Sequence, residues 1–236
     1  MTFFEVFGDW EKFIDKNLLV STLNQLDINK ICPEKDKVFK AFQLTNPKDV
    51  RVVMTGQDPY SQKGIATGIL FGNSIDTPDD KLSPSLKVIK EAAIDYTITH
   101  IPPIEFDNSL ESWCRQGVLM LNSALTCEIN KVGSHTMIWR PFITKFLQNF
   151  SKYSSEIVYV LFGQQAQTFE PYINKDNFII KENHPAYYAR TNTRMSSDIF
   201  YKINNYLKKH YNERIEWYKD NNVTLNYLNN YEEIYF

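Results

Sequence analysis

The sequence predicts an α/β fold, a single domain whose central four-stranded parallel sheet is flanked by helices. Two observations carry this expectation. Four short apolar runs, residues 50–54, 118–121, 157–162 and 178–180, are rich in β-branched or aromatic residues and bounded by turn formers, so they read as strands buried on both faces. Stretches of helical periodicity separate them, as parallel strands require, because each must be joined to the next by a crossover.

Taken in order, a first helix is expected from Asp9, where Trp10, Phe13, Ile14 and Leu18 recur at helical spacing, and a second after Cys32-Pro33 through Val38, Phe39 and Phe42. Later helices are expected over residues 85–93, 140–150 and 164–169. The longest turn-rich stretch, residues 72–85, is too short to separate two domains, and no internal repeat divides the chain. Residues 1–236 therefore read as one domain, ending in a divergent, tyrosine-rich tail at about 218–236.

Composition narrows the function classes. Hydrophobic residues at 43% and charged residues at 23% lie near globular averages, which excludes intrinsic disorder and a fibrous repeat. With 26 Lys+Arg against 28 Asp+Glu the formal charge is −2, which excludes a histone-like, charge-driven grip on nucleic acid but leaves room for a local basic groove. No apolar run approaches the roughly 20 residues of a membrane helix. Met1-Thr2-Phe3-Phe4-Glu5 lacks the basic-then-apolar pattern of a secretory leader, so the expected setting is soluble and cytoplasmic, with no membrane partner. Cys32, Cys114 and Cys127 form an odd set without CxxC spacing and read as reduced packing residues, neither a disulfide framework nor a zinc site.

The segments after the strands carry the chemistry. Gly56-Gln57-Asp58-Pro59-Tyr60 follows the first run, Asn122-Ser123 the second, Gly163-Gln164-Gln165 the third, and His184-Pro185 the fourth after Lys181-Glu182-Asn183. Parallel strands align their C-terminal ends along one edge, where open α/β sheets build their sites. Asp58, Asn122 and His184 can therefore meet around one cleft. Taken singly, each is an ordinary residue of its kind: Asp58-Pro59 a turn, Asn122 a partner for backbone groups, His184 a structural hydrogen bond. Their joint placement at three strand ends is a pattern that random turns seldom produce.

That pattern resembles a known family. Val52-Val53-Met54-Thr55-Gly56-Gln57-Asp58-Pro59-Tyr60 closely resembles the water-activating motif of the uracil-DNA glycosylases of the uracil-N-glycosylase type (family 1). The lead-in segment from Pro33 to Phe42, Gly68-Ile69-Leu70-Phe71, Ser83-Pro84-Ser85-Leu86-Lys87, Gly117-Val118-Leu119-Met120-Leu121-Asn122, His184-Pro185 and a closing strand at Arg214-Ile215-Glu216-Trp217 match in order and approximate spacing. The resemblance runs from about Asp9 to Trp217.

It implies hydrolysis of the bond between uracil and deoxyribose in DNA, leaving an abasic site that opens base excision repair, with no metal or cofactor. In that reaction a base is flipped out of the duplex. Phe71 would stack on the ring, the Asn122 amide would read its edge, Tyr60 would stand against C5 and exclude thymine, and Gln57 would shape the pocket with its backbone. Asp58 would stabilise the oxocarbenium-like sugar and position water, and His184 would donate, as a neutral imidazole, to uracil O2. Pro84 and Ser85 at a helix start, with Arg190 and Arg194, would meet phosphates. The implied partner is uracil-containing DNA, single- or double-stranded, met by a monomer, with proteinaceous uracil-glycosylase inhibitors as further partners. Tyr60 speaks against bulky C5 substituents.

The sequence departs from the family twice. Where the family places a histidine after the tyrosine of the first motif, this chain has Ser61-Gln62-Lys63-Gly64. After His184-Pro185, where the family has serine, proline, a leucine wedge and serine, it has Ala186-Tyr187-Tyr188-Ala189, which puts Tyr188 at the wedge position. Both changes remove polar groups near the site and leave an alternative, a glycosylase-like module that binds DNA or protein with weak or no catalysis.

Overall fold

In the computed structural model, which describes residues 3–96 and 104–220, the four expected strands form one parallel sheet. The strands are β1 (Ile31–Cys32), β2 (Val52–Gly56), β3 (Ile104–Glu105), β4 (Val118–Asn122), β5 (Cys127–Glu128), β6 (Val158–Phe162), β7 (Phe178–Glu182) and β8 (Lys219–Asp220). The helices are α1 (Lys16–Leu23), α2 (Lys40–Gln43), α3 (Pro84–Ile94), α4 (Glu111–Arg115), α5 (Thr136–Tyr153), α6 (Gly163–Gln167), α7 (Pro185–Thr191) and α8 (Asp198–Tyr211). The central sheet has the order β4-β2-β6-β7, while β1 pairs with β5 and β3 with β8 in small antiparallel ribbons.

Register aligns the strand ends: Gly56 lies opposite Asn122, and Phe162 opposite Glu182. The segments after these four residues therefore emerge along one edge. Strand alternation also sorts the side chains into two cores. Val53, Leu119, Leu121, Tyr159 and Leu161 face α1, α5 and the N-terminal turns, among Trp10, Phe42, Trp139 and Phe146. Val52, Met54, Met120, Val158 and Val160 face the other way, toward α3, α4 and α8, among Ile89, Trp113, Phe200 and Trp217. Cys32, Cys114 and Cys127 are buried free thiols, as packing residues should be.

The two-sided burial expected of all four strands holds for β2, β4 and β6 and fails for β7. Both β4 and β7 are edge strands, but β4 is covered by α2 and α4, whereas at β7 Phe178 and Lys181 stay exposed and Ile180 alone is buried. The first helix also differs. Residues Phe3–Phe13 wind as 3-10 turns kinked at Gly8 (φ 50), and α1 starts anew because the Asp15 side chain accepts from Leu18 N–H at 3.0 Å. Leu19, not Leu18, becomes the buried residue. After Pro33 the chain forms tight turns closed by Lys37 N–H to Glu34 O and Lys40 N–H to Lys37 O, which still bury Val38, Phe39 and Phe42 but leave only Lys40–Gln43 as helix.

The strand expected at Arg214-Ile215-Glu216-Trp217 is not one, for a visible reason. Side chains take the place of a neighbouring strand: Asn204 accepts from Ile215 N–H at 2.9 Å and donates to Ile215 O at 3.0 Å, and Gln116 does the same for Glu216 at 2.8 and 3.1 Å. Trp217 is thereby seated 4.9 Å from both Trp113 and Phe200. Of the tail expected from residue 218, residues 221–236 lie outside the described residues. The Ala186-Tyr187-Tyr188-Ala189 segment lies in the helix α7, which Pro185 opens with its preset φ. No helix among the described residues is long and apolar enough to cross a membrane.

Candidate active site

At the C-terminal edge of the sheet lies a cavity of about 340 Å³. Gln57, Asp58, Tyr60, Phe71, Pro84, Ser85, Asn122, His184 and Arg190 all line it, so nine residues singled out in the sequence meet in one place. Tyr188 does not. Its hydroxyl donates to Glu182 Oε1 at 2.6 Å and its ring is half-buried, whereas the neighbouring Tyr187 is 46% exposed. Arg194 stands apart in an ion pair with Asp95 at 3.6 Å.

The floor of the cavity is built by close backbone approach. Gly56, the last residue of β2, has Asn122 across the ladder, and a Cβ on it would lie 2.4 Å from Leu70 Cδ1 and 3.6 Å from Asn122 Oδ1. The next carbonyl, Gln57 O, is held by Ser123 Oγ and Ala124 N–H, each at 2.9 Å. Asn122 itself is 7% exposed, and its Oδ1 has no partner within the protein. An unsatisfied buried amide is expensive, on the order of 1–3 kcal/mol, and is therefore expected where a ligand completes the bonding.

The apolar wall is Phe71. It holds a left-handed backbone (φ 63), a strained conformation for a bulky residue, and is 6% exposed. Its ring stands edge-on to Phe162 at 5.3 Å and to His184 at 5.5 Å, and its carbonyl accepts from the Tyr60 hydroxyl at 3.0 Å. Burial pushes the Tyr60 phenol up, so it is a permanent donor and an uncharged ring.

The two ionisable walls face opposite ways in chemistry. Burial raises the Asp58 carboxyl above the ordinary carboxylate range, and a hydrogen bond from Gly133 N–H to Oδ2 at 2.5 Å partly offsets it. His184 is the residue before α7, and its Nδ1 accepts from Ala186 N–H at 3.2 Å. Burial first, then the Arg190 guanidinium, lowers its pKa from 6.5 to about 4. A neutral imidazole that accepts at Nδ1 carries its proton on Nε2. The ring is thus a fixed neutral donor on one wall, with a carboxylate on another. Among the described residues no group of three or more His, Cys, Asp or Glu is arranged to hold a metal ion.

Three contributors escape sequence reading. Ser123, directly after β4, holds the Gln57 carbonyl, a role its place in sequence does not show, and Gly133 acts on Asp58 from a turn far along the chain and through its backbone, which leaves no side-chain signal. Gly163 (φ +81) makes room for His184, since a Cβ there would lie 2.9 Å from His184 Cβ. Its position directly after an apolar run was the one available hint.

A family model described as the uracil DNA glycosylase superfamily matches residues 42–208, a span that encloses every residue named above as lining the cavity. A uracil-DNA glycosylase of Azobacteroides pseudotrichonymphae is 34% identical over 212 residues, covering 89% of this chain and 93% of that one. A uracil-DNA glycosylase of Idiomarina loihiensis is 35% identical over 191 residues, covering 79% and 85%. Among solved structures, mimivirus uracil-DNA glycosylase has a TM-score of 0.69 at 22% identity over 91% of each chain, and a mimivirus UNG variant in complex with UGI has 0.70 at 25%, over 90% and 82%. Matched by the family model from residue 42 to residue 208, and by curated relatives at 34–35% identity over most of its length, the chain belongs to the uracil DNA glycosylase superfamily.

Proposed function

We propose that this protein is a uracil-DNA glycosylase that hydrolyses the N-glycosidic bond of an extruded uracil and leaves an abasic site, the opening step of base excision repair. The observation that carries the reading is the buried, unpartnered Oδ1 of Asn122, facing a cavity that also holds an ionisable carboxylate and a neutral imidazole donor. An Asn side chain offers an acceptor and two donors. Uracil presents N3–H beside O4 and satisfies both; cytosine presents the opposite pattern and would leave the buried oxygen unpaired.

The remaining roles follow from position. Phe71 supplies a face for the pyrimidine, and Tyr60, pinned to Phe71 O, stands where a C5 methyl would go. As the bond breaks, negative charge grows on the base and positive charge on the sugar. His184 Nε2–H meets the first at uracil O2 without surrendering a full charge, and the Asp58 carboxylate meets the second while orienting the attacking water. Gln57 shapes the pocket through its held carbonyl. Pro84 and Ser85 open the eleven-residue α3 beside the cavity and, with Arg190, suit the flanking phosphates. The gap left in the stack is assigned to Tyr188, released from Glu182, with the exposed Tyr187 beside it as the comparison residue.

The same reading takes the 1–236 chain as one catalytic domain acting as a monomer on cytoplasmic DNA, single- or double-stranded, and makes it a target for proteinaceous inhibitors, as the UGI complex of the mimivirus UNG variant suggests. The deciding experiment is incubation of the purified protein with a single-uracil oligonucleotide in EDTA. Alkali-labile breakage at uracil, with thymine and cytosine spared, is expected; no breakage at micromolar enzyme would leave a binding module. Asn122→Asp should extend cleavage to cytosine.

A further inference from the structure

Asp58 is reached from a turn seventy-five residues away in sequence, where Gly133 donates its N–H to Oδ2 at 2.5 Å. That turn, residues 128–135, is held by bonds of its own. Glu128 N–H donates to Ser134 Oγ at 2.7 Å, Lys131 N–H to Glu128 O at 2.9 Å, and Thr136 N–H to Gly133 O at 3.2 Å. Asn130 and Gly133 both take left-handed backbones (φ 62 and 78). Asn130 N–H donates to Ser61 O at 2.9 Å.

The ribbon that launches the turn grips the same loop. Cys127 in β5 donates its thiol to Pro59 O at 3.5 Å, and Cys32, its cross-strand partner in β1, donates to Ser61 O at 3.2 Å. The carbonyls on both sides of Tyr60 and the carboxylate before Pro59 are thus all fixed from one structural unit. No side chain of the Asp58-Pro59-Tyr60-Ser61 loop itself is bonded to Asp58, and Ser61 offers a hydroxyl where the family motif has an imidazole.

We propose that residues 128–135 are a positioning element for the hydrolysis, in which the Gly133 amide engages Oδ2 of Asp58 and so leaves Oδ1 directed at the sugar and its attacking water. This rests on the role assigned to Asp58 above. Two ionisable groups at the loop titrate outside the working range: Cys127, its thiol pushed up to about 12 by burial, and Tyr60, whose phenol burial also raises. His184 and His135 are both lowered, chiefly by burial, and Glu128 is paired with Lys131 at 2.7 Å. Arg190 also lines the cavity. The Gly133 N–H is then the neighbour that favours the ionised form of Asp58, and removing it must move the carboxyl further up.

The test replaces the Gly133 amide by an ester (Gly133→glycolate), which deletes the N–H alone, and makes Gly133→Ala as a second variant that keeps the N–H but strains its φ. Single-turnover uracil release is followed against pH, and Asp58 is titrated by NMR of the carbon-labelled carboxyl in the free protein. The ester should raise the Asp58 midpoint and the acid limb of the rate by about one unit. It should slow the neutral-pH rate about tenfold, leave KM within about twofold, and add no further loss on Asp58→Asn. Gly133→Ala should move both midpoints in the same direction by less. An unmoved Asp58 midpoint, or an equal loss with and without the Asp58 carboxylate, overturns the proposal. Should the wild-type protein release no uracil, the functional reading fails, yet the NMR titration still decides whether Gly133 governs Asp58.

Discussion

The hydroxyl of Tyr60 donates to the carbonyl of Phe71 at 3.0 Å, tying together two walls of the cavity, which in the proposed reaction bar a methyl group and stack the ring. Phe71 sits in a left-handed conformation that a bulky residue does not choose unaided. The bond therefore fixes the width of the slot. Two substitutions separate its two effects. Tyr60→Phe keeps the ring and should keep thymine out, while lowering Tm through loss of one buried bond, about 1 kcal/mol. Tyr60→Ala should admit thymine, read as new breakage opposite adenine in an oligonucleotide that lacks uracil.

Gly163 should tolerate nothing larger. A Cβ at this position would meet His184 Cβ at 2.9 Å, and φ +81 adds backbone strain. Gly163→Ala is expected to push the imidazole off its line and reduce kcat by about a hundredfold, the scale on which small misplacements of catalytic groups act. Substrate binding, measured with an uncleavable uracil analogue, should change far less. A variant with wild-type kcat would remove His184 orientation from the account.

The pH dependence follows from opposite displacements of the two ionisable walls. His184 falls from 6.5 to about 4, so its neutral donor form persists through the neutral range and the rate should show no histidine step near pH 6.5. For folding the sign is clear: between about pH 4 and 6.5 the unfolded chain binds a proton at His184 that the folded chain refuses, so this group's contribution to stability falls as pH drops through that window. His184→Gln should flatten that part of the Tm profile. Asp58 is displaced upward, so the native state disfavours its carboxylate, and Asp58→Asn should raise Tm at neutral pH while cutting turnover to a small residual rate measurable in single turnover.

How much of this could be read from the chain is clearest in particular residues. Asp58, Asn122 and His184 were legible because each follows an apolar run, and parallel register does the rest. The start of α1 was not, since Asp15 stops one helical pattern and caps another within an uninterrupted apolar spacing. Residues 214–217 look like a strand in every local property; what denies them one is Asn204 and Gln116, side chains that no window around the segment contains. Gly133 was invisible for a related reason, as an amide proton is common to every residue but proline.

Wedge action separates two adjacent tyrosines. Tyr188 is anchored to Glu182 at 2.6 Å, and Tyr187, edge-on to the Tyr188 ring at 5.4 Å, is 46% exposed. Tyr188→Ala should slow uracil release from duplex about tenfold more than from single strands, since only a duplex leaves a gap to fill. Equal losses on both substrates would remove Tyr188 from base extrusion, and a duplex-specific loss in Tyr187→Ala alone would move the role one residue back.

His184, the donor in the proposed reaction, is also the cap of a helix. Its Nδ1 accepts the free amide of Ala186 in the first turn of α7, and that bond is what sends the proton to the other nitrogen. Winding of seven residues therefore writes the tautomer of the catalytic ring. If α7 frays as DNA leaves, the imidazole can exchange its proton between nitrogens, and each new encounter must rewind the helix before the ring is competent again.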